Sequence, residues 1–236
     1  MSGPLVFSFF TVIHALIAVG ALAALDKLPA AAICLFLVEA VTAFDNGVTV
    51  AGNRLGIAPR TERLNRMRFL LHAVCIGLLL PVYAAVGNSL AFDGVAAVTI
   101  GYGAWALAAL IMLYGYFSQY RGVGAIVPVS YYGCLRYAQS VSELARHPQY
   151  NYAADELARK GKMPVASIAT TAIGLVIAFF IGWSAGFWVP FVVTALMFLA
   201  GGLPLRSWGP LATSCLEIIY SGGMLYALLV AAGAAT

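Results

Sequence analysis

Charge is what this sequence has least of. Of its 236 residues, 9% are Asp, Glu, Lys or Arg and 62% are apolar, whereas a soluble domain carries about 25% charged residues. Such a chain cannot cover a water-facing surface, and disordered or fibrous classes are excluded by the same figures. Cysteine is also scarce: Cys34, Cys75, Cys134 and Cys215 stand singly, with no C-x-x-C pair, so neither a disulfide framework nor a zinc knuckle is implied. The chain has no D-D-x-x-D, G-x-x-x-x-G-K-[ST], H-E-x-x-H or G-x-S-x-G, the strings that hold magnesium diphosphate, cradle nucleotide phosphates, bind zinc or present a serine nucleophile. Three histidines are too few for a di-iron desaturase or a four-histidine di-haem bundle. No metal, cofactor or nucleic-acid partner is expected.

What is present is apolar length. Mean hydropathy is +0.92, and apolar runs fall at 4–25, 28–52, 69–87, 94–115, 165–183, 187–203 and 209–232. A helix needs about 20 such residues to cross a bilayer, and the sixth run is short for that. Their Ala, Leu, Gly and Val content favours helices over barrel strands, which alternate every second residue. The first run is long for a signal peptide and no positive charge precedes it, so it reads as a retained span. The expectation is therefore an all-α, polytopic membrane helix bundle of seven transmembrane helices, forming a single transmembrane domain over residues 1–236.

The basic residues orient it. Arg54, Arg60, Arg63, Arg66 and Arg68 lie between the second and third runs. Arg121, Arg136, Arg146, Arg159, Lys160 and Lys162 lie between the fourth and fifth, and Arg206 precedes the seventh. Only Lys27 falls on the other side. Seven spans then place twelve of thirteen cations on the side holding the N-terminus, which by the positive-inside rule is cytoplasmic. A multi-pass protein of a bacterial inner membrane is expected, in contact with membrane lipids. The 116–163 segment is the one long connection, cytoplasmic or interfacial, between the fourth and fifth spans. Residues 123–133 within it read as an interfacial or re-entrant stretch, and 135–162 as charged and helical, broken at Pro148.

Ionisable groups inside membrane helices are costly and point to function by default. The second run carries Glu39 and Asp45. At 100° per residue, Glu39, Thr42, Asn46, Thr49 and Asn53 share one stripe, which should face the bundle interior rather than lipid. At a rise of 1.5 Å per residue, His14, His72, Asp45 and Glu217 come to depths of roughly 5–15 Å from the cytoplasmic face, with Glu39 near the midplane. Glu39, Asp45 and Glu217 are the expected catalytic groups, around one cavity walled by Asn46, His72 and His14. Arg68 lies at its mouth, where a guanidinium suits a phosphate or carboxylate. Tyr102, Trp105 and Tyr220 supply aromatic faces toward substrate, with Tyr83 and Tyr226 as further candidates.

Three resemblances attach to these residues. Arg146-His147-Pro148-Gln149-Tyr150 is similar to the R-H-P-x-Y of membrane isoprenylcysteine and phospholipid methyltransferases, although the segment that follows, 153–162, is charged where that family has a membrane helix. Glu39-x5-Asp45-Asn46 resembles the acidic first-half motif of TerC-type metal-ion exporters, and the C-terminal half carries no second such motif. The broadest resemblance is to small seven-helix membrane terpene cyclases of meroterpenoid pathways. It rests on length, helix count and an acid on an early helix paired with one on the last, here Glu39 or Asp45 and Glu217.

That last resemblance implies proton-initiated cyclisation of an isoprenoid without an obligatory metal. A carboxyl desolvated in an apolar cavity keeps its proton more readily, and aromatic rings stabilise the cations that follow by about 0.5–2 kcal/mol each. The expected function is thus a membrane enzyme acting on an isoprenoid or other long apolar small molecule by carboxylate acid–base chemistry. Two alternatives use the same residues: a cation or proton-coupled transporter, and an assembly subunit in which the acids only join helices.

Overall fold

The computed structural model describes residues 3–141, 145–161, 163–202 and 209–235, without the side chains of 201, 202 and 209–211. Lys162 and Arg206 fall outside the described residues. The described chain is a helix bundle: α1 Gly3–Ala21, α2 Pro29–Leu55, α3 Pro59–Cys75, α4 Leu79–Leu90, α5 Gly94–Gly115, a short α6 Ala154–Leu157, α7 Val165–Ala185, α8 Val189–Gly202 and α9 Gly209–Ala234. Six helical spans are long and apolar enough to cross a membrane, so this is a multi-pass membrane protein. The sixth apolar run forms α8, which with 14 residues covers roughly 21 Å, short of the ~30 Å hydrocarbon core.

The third span is composite. α3 and α4 join through a 3-10 turn at Ile76–Leu78 into one stretch, Pro59–Leu90. Pro81 supplies the cause, since it lacks an N–H and its ring crowds the carbonyl four residues back, at Gly77. After the break, α4 runs through the middle of the bundle. It packs on α2, α5, α7 and α9, and Leu79, Leu80, Val82, Tyr83, Ala84 and Val86 are all buried. Around it lies the main core, with Leu35 and Val38 from α2, Ala178 from α7, and Met224 and Leu228 from α9. Gly174 of α7 stacks directly on Tyr83, where an added Cβ would lie 2.6 Å from the ring. α5 is peripheral, exposing Val95, Tyr102, Leu110 and Leu113 toward the space lipid would fill.

The long connection departs from expectation. Among the described residues of 135–162 the only helix is the four-residue α6, and at the start of the stretch β1 Val127–Tyr131 and β2 Cys134–Ala138 pair antiparallel, with Tyr131 opposite Cys134. The two-residue turn has φ of 51° at Tyr132 and 77° at Gly133, the positive pair that a tight hairpin matching strand twist requires. What selects the strand is the edge of β2, whose outward backbone groups are taken by helix side chains. Asn53 donates to the Gly133 carbonyl at 2.7 Å and accepts from Leu135 N–H at 2.7 Å. Asn65 accepts from Tyr137 N–H at 3.1 Å, and Arg68 donates to the Tyr137 carbonyl at 3.0 Å. Non-helical backbone beside a membrane is tolerated where protein satisfies it in this way. Gly52 makes the approach possible, because a Cβ there would lie 1.8 Å from the Leu135 carbonyl oxygen.

The strand ends that flank the turn pack against the bundle, while Tyr132 and Gly133 themselves are exposed. Tyr131 and Cys134 pack with Phe7 and Phe10 of α1, Val50 of α2 and Ile218 of α9. The start of α1, the end of α2, the start of α3 and the hairpin therefore share one end of the molecule. That end carries most of the basic residues.

Candidate functional site

Two polar centres lie along α2. The deeper one is built by α1 and α2, the most extensively packed helix pair. His14 Nδ1 sits 2.7 Å from Glu39 Oε2, and the two residues are 0% and 1% exposed. The other ring nitrogen, Nε2, is buried and has no hydrogen-bond partner among the described residues. Glu217, half-buried on α9, makes no hydrogen bond among the described residues. It lies within electrostatic reach of His14, Asp45 and Glu39. The sequence reading puts Glu39, Asp45 and Glu217 around one cavity with Asn46, His72 and His14 at its wall; here His14, Glu39 and Glu217 lie near one another, while Asp45 and His72 line a separate pocket.

Beyond Glu39 the polar groups continue. Thr194 gives its proton to the Pro190 carbonyl at 2.6 Å, so Tyr83 must donate to Thr194 and Tyr220 to Tyr83, the last at 3.0 Å. Tyr220 thus holds a fixed direction, with its oxygen within electrostatic reach of Glu39. It belongs to this buried string and not to a substrate-facing aromatic wall. Tyr83 is its other ring, while Tyr226 is 54% exposed.

The second centre lies six residues further along α2, roughly 9 Å at helical rise. Asp45 accepts from Arg68 Nη1 at 3.0 Å, and Arg136 of β2 stands 3.7 Å from the same oxygen. Arg68 is 3% exposed, held by Asp45 and the Tyr137 carbonyl, and its buried Nε–H has no partner among the described residues. It is a buried pairing residue as well as a residue of the cavity mouth. A pocket of about 170 Å³ opens here, lined by Asp45, Arg68, His72, Gln119, Arg136 and Gln139, with Phe69, Met163 and Pro164. His72 contacts Ser167 of α7 at 3.3 Å. Tyr131 bridges the centres, since Asp45 and Glu217 both act on it, and burial with those carboxylates pushes its phenol upward.

Asn46 is buried and gives one of its two amide N–H groups to the Thr42 carbonyl at 3.0 Å, and it does not line the pocket described above. Tyr102 and Trp105 are not at the site: they are 77% and 45% exposed on α5. The reason is that α5 touches the bundle on one narrow face, Ala104, Ala108 and Ile111, which leaves its large rings outside. Sequence reading missed Arg136, Tyr131, Gln119 and Gln139, because all four come from the 116–163 connection, where no periodicity marks an inward face. Among the described residues no group of His, Cys, Asp and Glu is arranged to hold a metal ion. The chain matches no protein-family model, no curated protein and no solved structure.

Proposed function

We propose that the protein is a membrane-embedded enzyme that performs acid–base chemistry on a long apolar, lipid-soluble substrate, of which an isoprenoid is the favoured class. The observation that carries this reading is the sealed His14–Glu39 pair with a spare ring nitrogen and Glu217 beside it. A carboxylate that accepts from one imidazole nitrogen fixes the tautomer and orientation of the ring and leaves the other nitrogen as a base. Glu39 is then the positioning group, His14 the base, and Glu217 the carboxyl that supplies or receives the other proton. Proton-initiated cyclisation, as the resemblance to terpene cyclases implies, is one reaction these groups suit. Asp45 is paired with two guanidiniums, which suits it to binding rather than to proton donation.

The same reading takes seven membrane crossings, with α8 completing the seventh beside α7 and α9, and places the basic end in the cytoplasm of a bacterial cell. Cysteines introduced at 54–66 and 136–162 should be labelled from that side only. Labelling from the other side would overturn the topology.

The test of function is product formation from polyprenylated and epoxy-polyprenylated substrates in membranes, with and without a chelator. General acid–base groups contribute typically 10²–10⁴-fold, so His14→Asn, Glu39→Gln and Glu217→Gln should each lower turnover by about that much. The polar string through Tyr83, Tyr220, Glu39, His14, Glu217 and Asp45 favours a second reading, proton-coupled transport. Cation or proton flux in reconstituted vesicles, lost in the same variants while no substrate is turned over, would replace the enzyme reading with it.

A further inference from the structure

The pocket at Asp45 holds more hydrogen-bond donors than its own acceptors can use. Two guanidiniums face one carboxylate, an excess of one positive charge. Arg136 is stacked over the Tyr131 ring at 4.7 Å, and its nearest carboxylate oxygen, at 3.7 Å, is beyond hydrogen-bond range. Its N–H fork is therefore unspent among the described residues. Arg68, which lines the pocket and is 3% exposed, stacks over the Phe69 ring at 4.8 Å, and its Nε–H has no partner among the described residues.

Gln119 adds to the excess. It sits on a single π-helical turn, Tyr116–Tyr120, a local widening that recurs at functional sites. With its amide turned so that both ends are satisfied, its carbonyl accepts from Val165 and Ala166 N–H at 3.1 and 3.2 Å. That caps the start of α7 and leaves the amide NH₂ as a donor on a residue lining the pocket. Phe69, Met163 and Pro164 make the rest of the lining apolar. Unspent donors, a net positive charge and an apolar share of the lining match one kind of ligand.

We propose that this pocket binds the oxyanion head, a phosphate monoester or a carboxylate, of the amphiphilic substrate, with Arg136 and the Gln119 amide as its donors and the charge of Arg68 in support. This rests on the reading of the protein as an enzyme for long apolar substrates, and it adds that the substrate carries an acidic head. A planar guanidinium fork matches a tetrahedral or planar oxyanion in two-point fashion. The head would sit roughly one and a half helical turns of α2 from the His14–Glu39 pair, which places the chemistry on the chain and not on the head.

The experiment is equilibrium binding to the purified full-length protein in detergent, with farnesyl monophosphate, inorganic phosphate and farnesol as probes. Farnesyl monophosphate should bind at least tenfold more tightly than either of the others. Arg136→Gln should weaken it at least tenfold, with farnesol unchanged and thermal unfolding within a few degrees of the parent. Gln139→Glu, which places a second carboxylate in the pocket without touching Arg68, should weaken it as well, so a folding failure of the first variant does not protect the idea. Farnesol binding as tightly as its phosphate, or both variants binding like the parent, would overturn the oxyanion head. Inorganic phosphate binding as tightly would overturn the lipid as its source. Glu39→Gln should bind the phosphate like the parent yet turn substrate over about 10²–10⁴-fold more slowly. Tight, Arg136-dependent binding with no turnover of any substrate sinks the enzyme reading alone, and turnover of neutral substrates without phosphate binding sinks this one alone.

Discussion

His14 and Glu39 meet at 2.7 Å in a part of the bundle where neither side chain touches solvent. Removing one member of a buried hydrogen-bonded pair leaves the other without its partner, at a cost of about 1–3 kcal/mol and more for a charged group, whereas replacing both by apolar residues of similar size is often neutral. His14→Leu and Glu39→Leu should each lower thermal stability sharply, and the double variant should recover much of the loss. Unfolding in detergent, read as a double-mutant cycle, checks this. Additive losses would mean that the two residues act independently.

Asn53 and Asn65 latch the hairpin to the helices through its backbone. Each Asn→Ala change leaves a backbone N–H of a buried residue, Leu135 or Tyr137, without its partner, for about 1–3 kcal/mol. The expected result is faster limited proteolysis between residues 124 and 141, with the transmembrane helices left intact. Asn88→Ala, at the opposite end and bonded only to the Ala97 carbonyl, should leave that rate unchanged.

Tyr131 offers a pH test at the same place. Burial, then the charges of Asp45, Tyr132 and Glu217, push its phenol above the ordinary value of 10.0. A folded-state value raised above the unfolded one gives stability that is full below about pH 10 and is lost as pH rises toward the folded value. Hairpin docking, followed by proteolysis between about pH 8 and 11, should therefore weaken at the alkaline end. Tyr131→Phe should flatten that dependence.

Gly174→Ala would drive a methyl group into the Tyr83 ring. Overpacking of this kind costs about 1–3 kcal/mol. It should also displace Tyr83 from Thr194 and Tyr220, so Gly174→Ala combined with Tyr83→Phe should cost less than the two changes added. Gly103→Ala on α5, where an added Cβ meets nothing within 4 Å, should be neutral. Melting temperatures of the four proteins decide it.

The division between sequence and tertiary structure follows from what each residue's role depends on. Hydropathy over some 20 residues depends only on composition, so the spans of α1, α2, α5, α7 and α9 were legible, as was the buried stripe through Glu39, Asn46 and Thr49 on α2. The charge asymmetry was legible for the same reason. Which carboxylate meets which cation was not: Asp45 pairs with Arg68 and Arg136, and Glu39 with His14, because partner choice depends on helix rotation and order in the bundle. Tyr102 and Trp105 looked inward by composition and lie outside, since which face of α5 is covered is set by its neighbours' positions. The hairpin was least legible of all. Its strands are fixed by Asn53, Asn65 and Arg68, more than 65 residues away in sequence, and no local propensity records a backbone whose partners come from that distance.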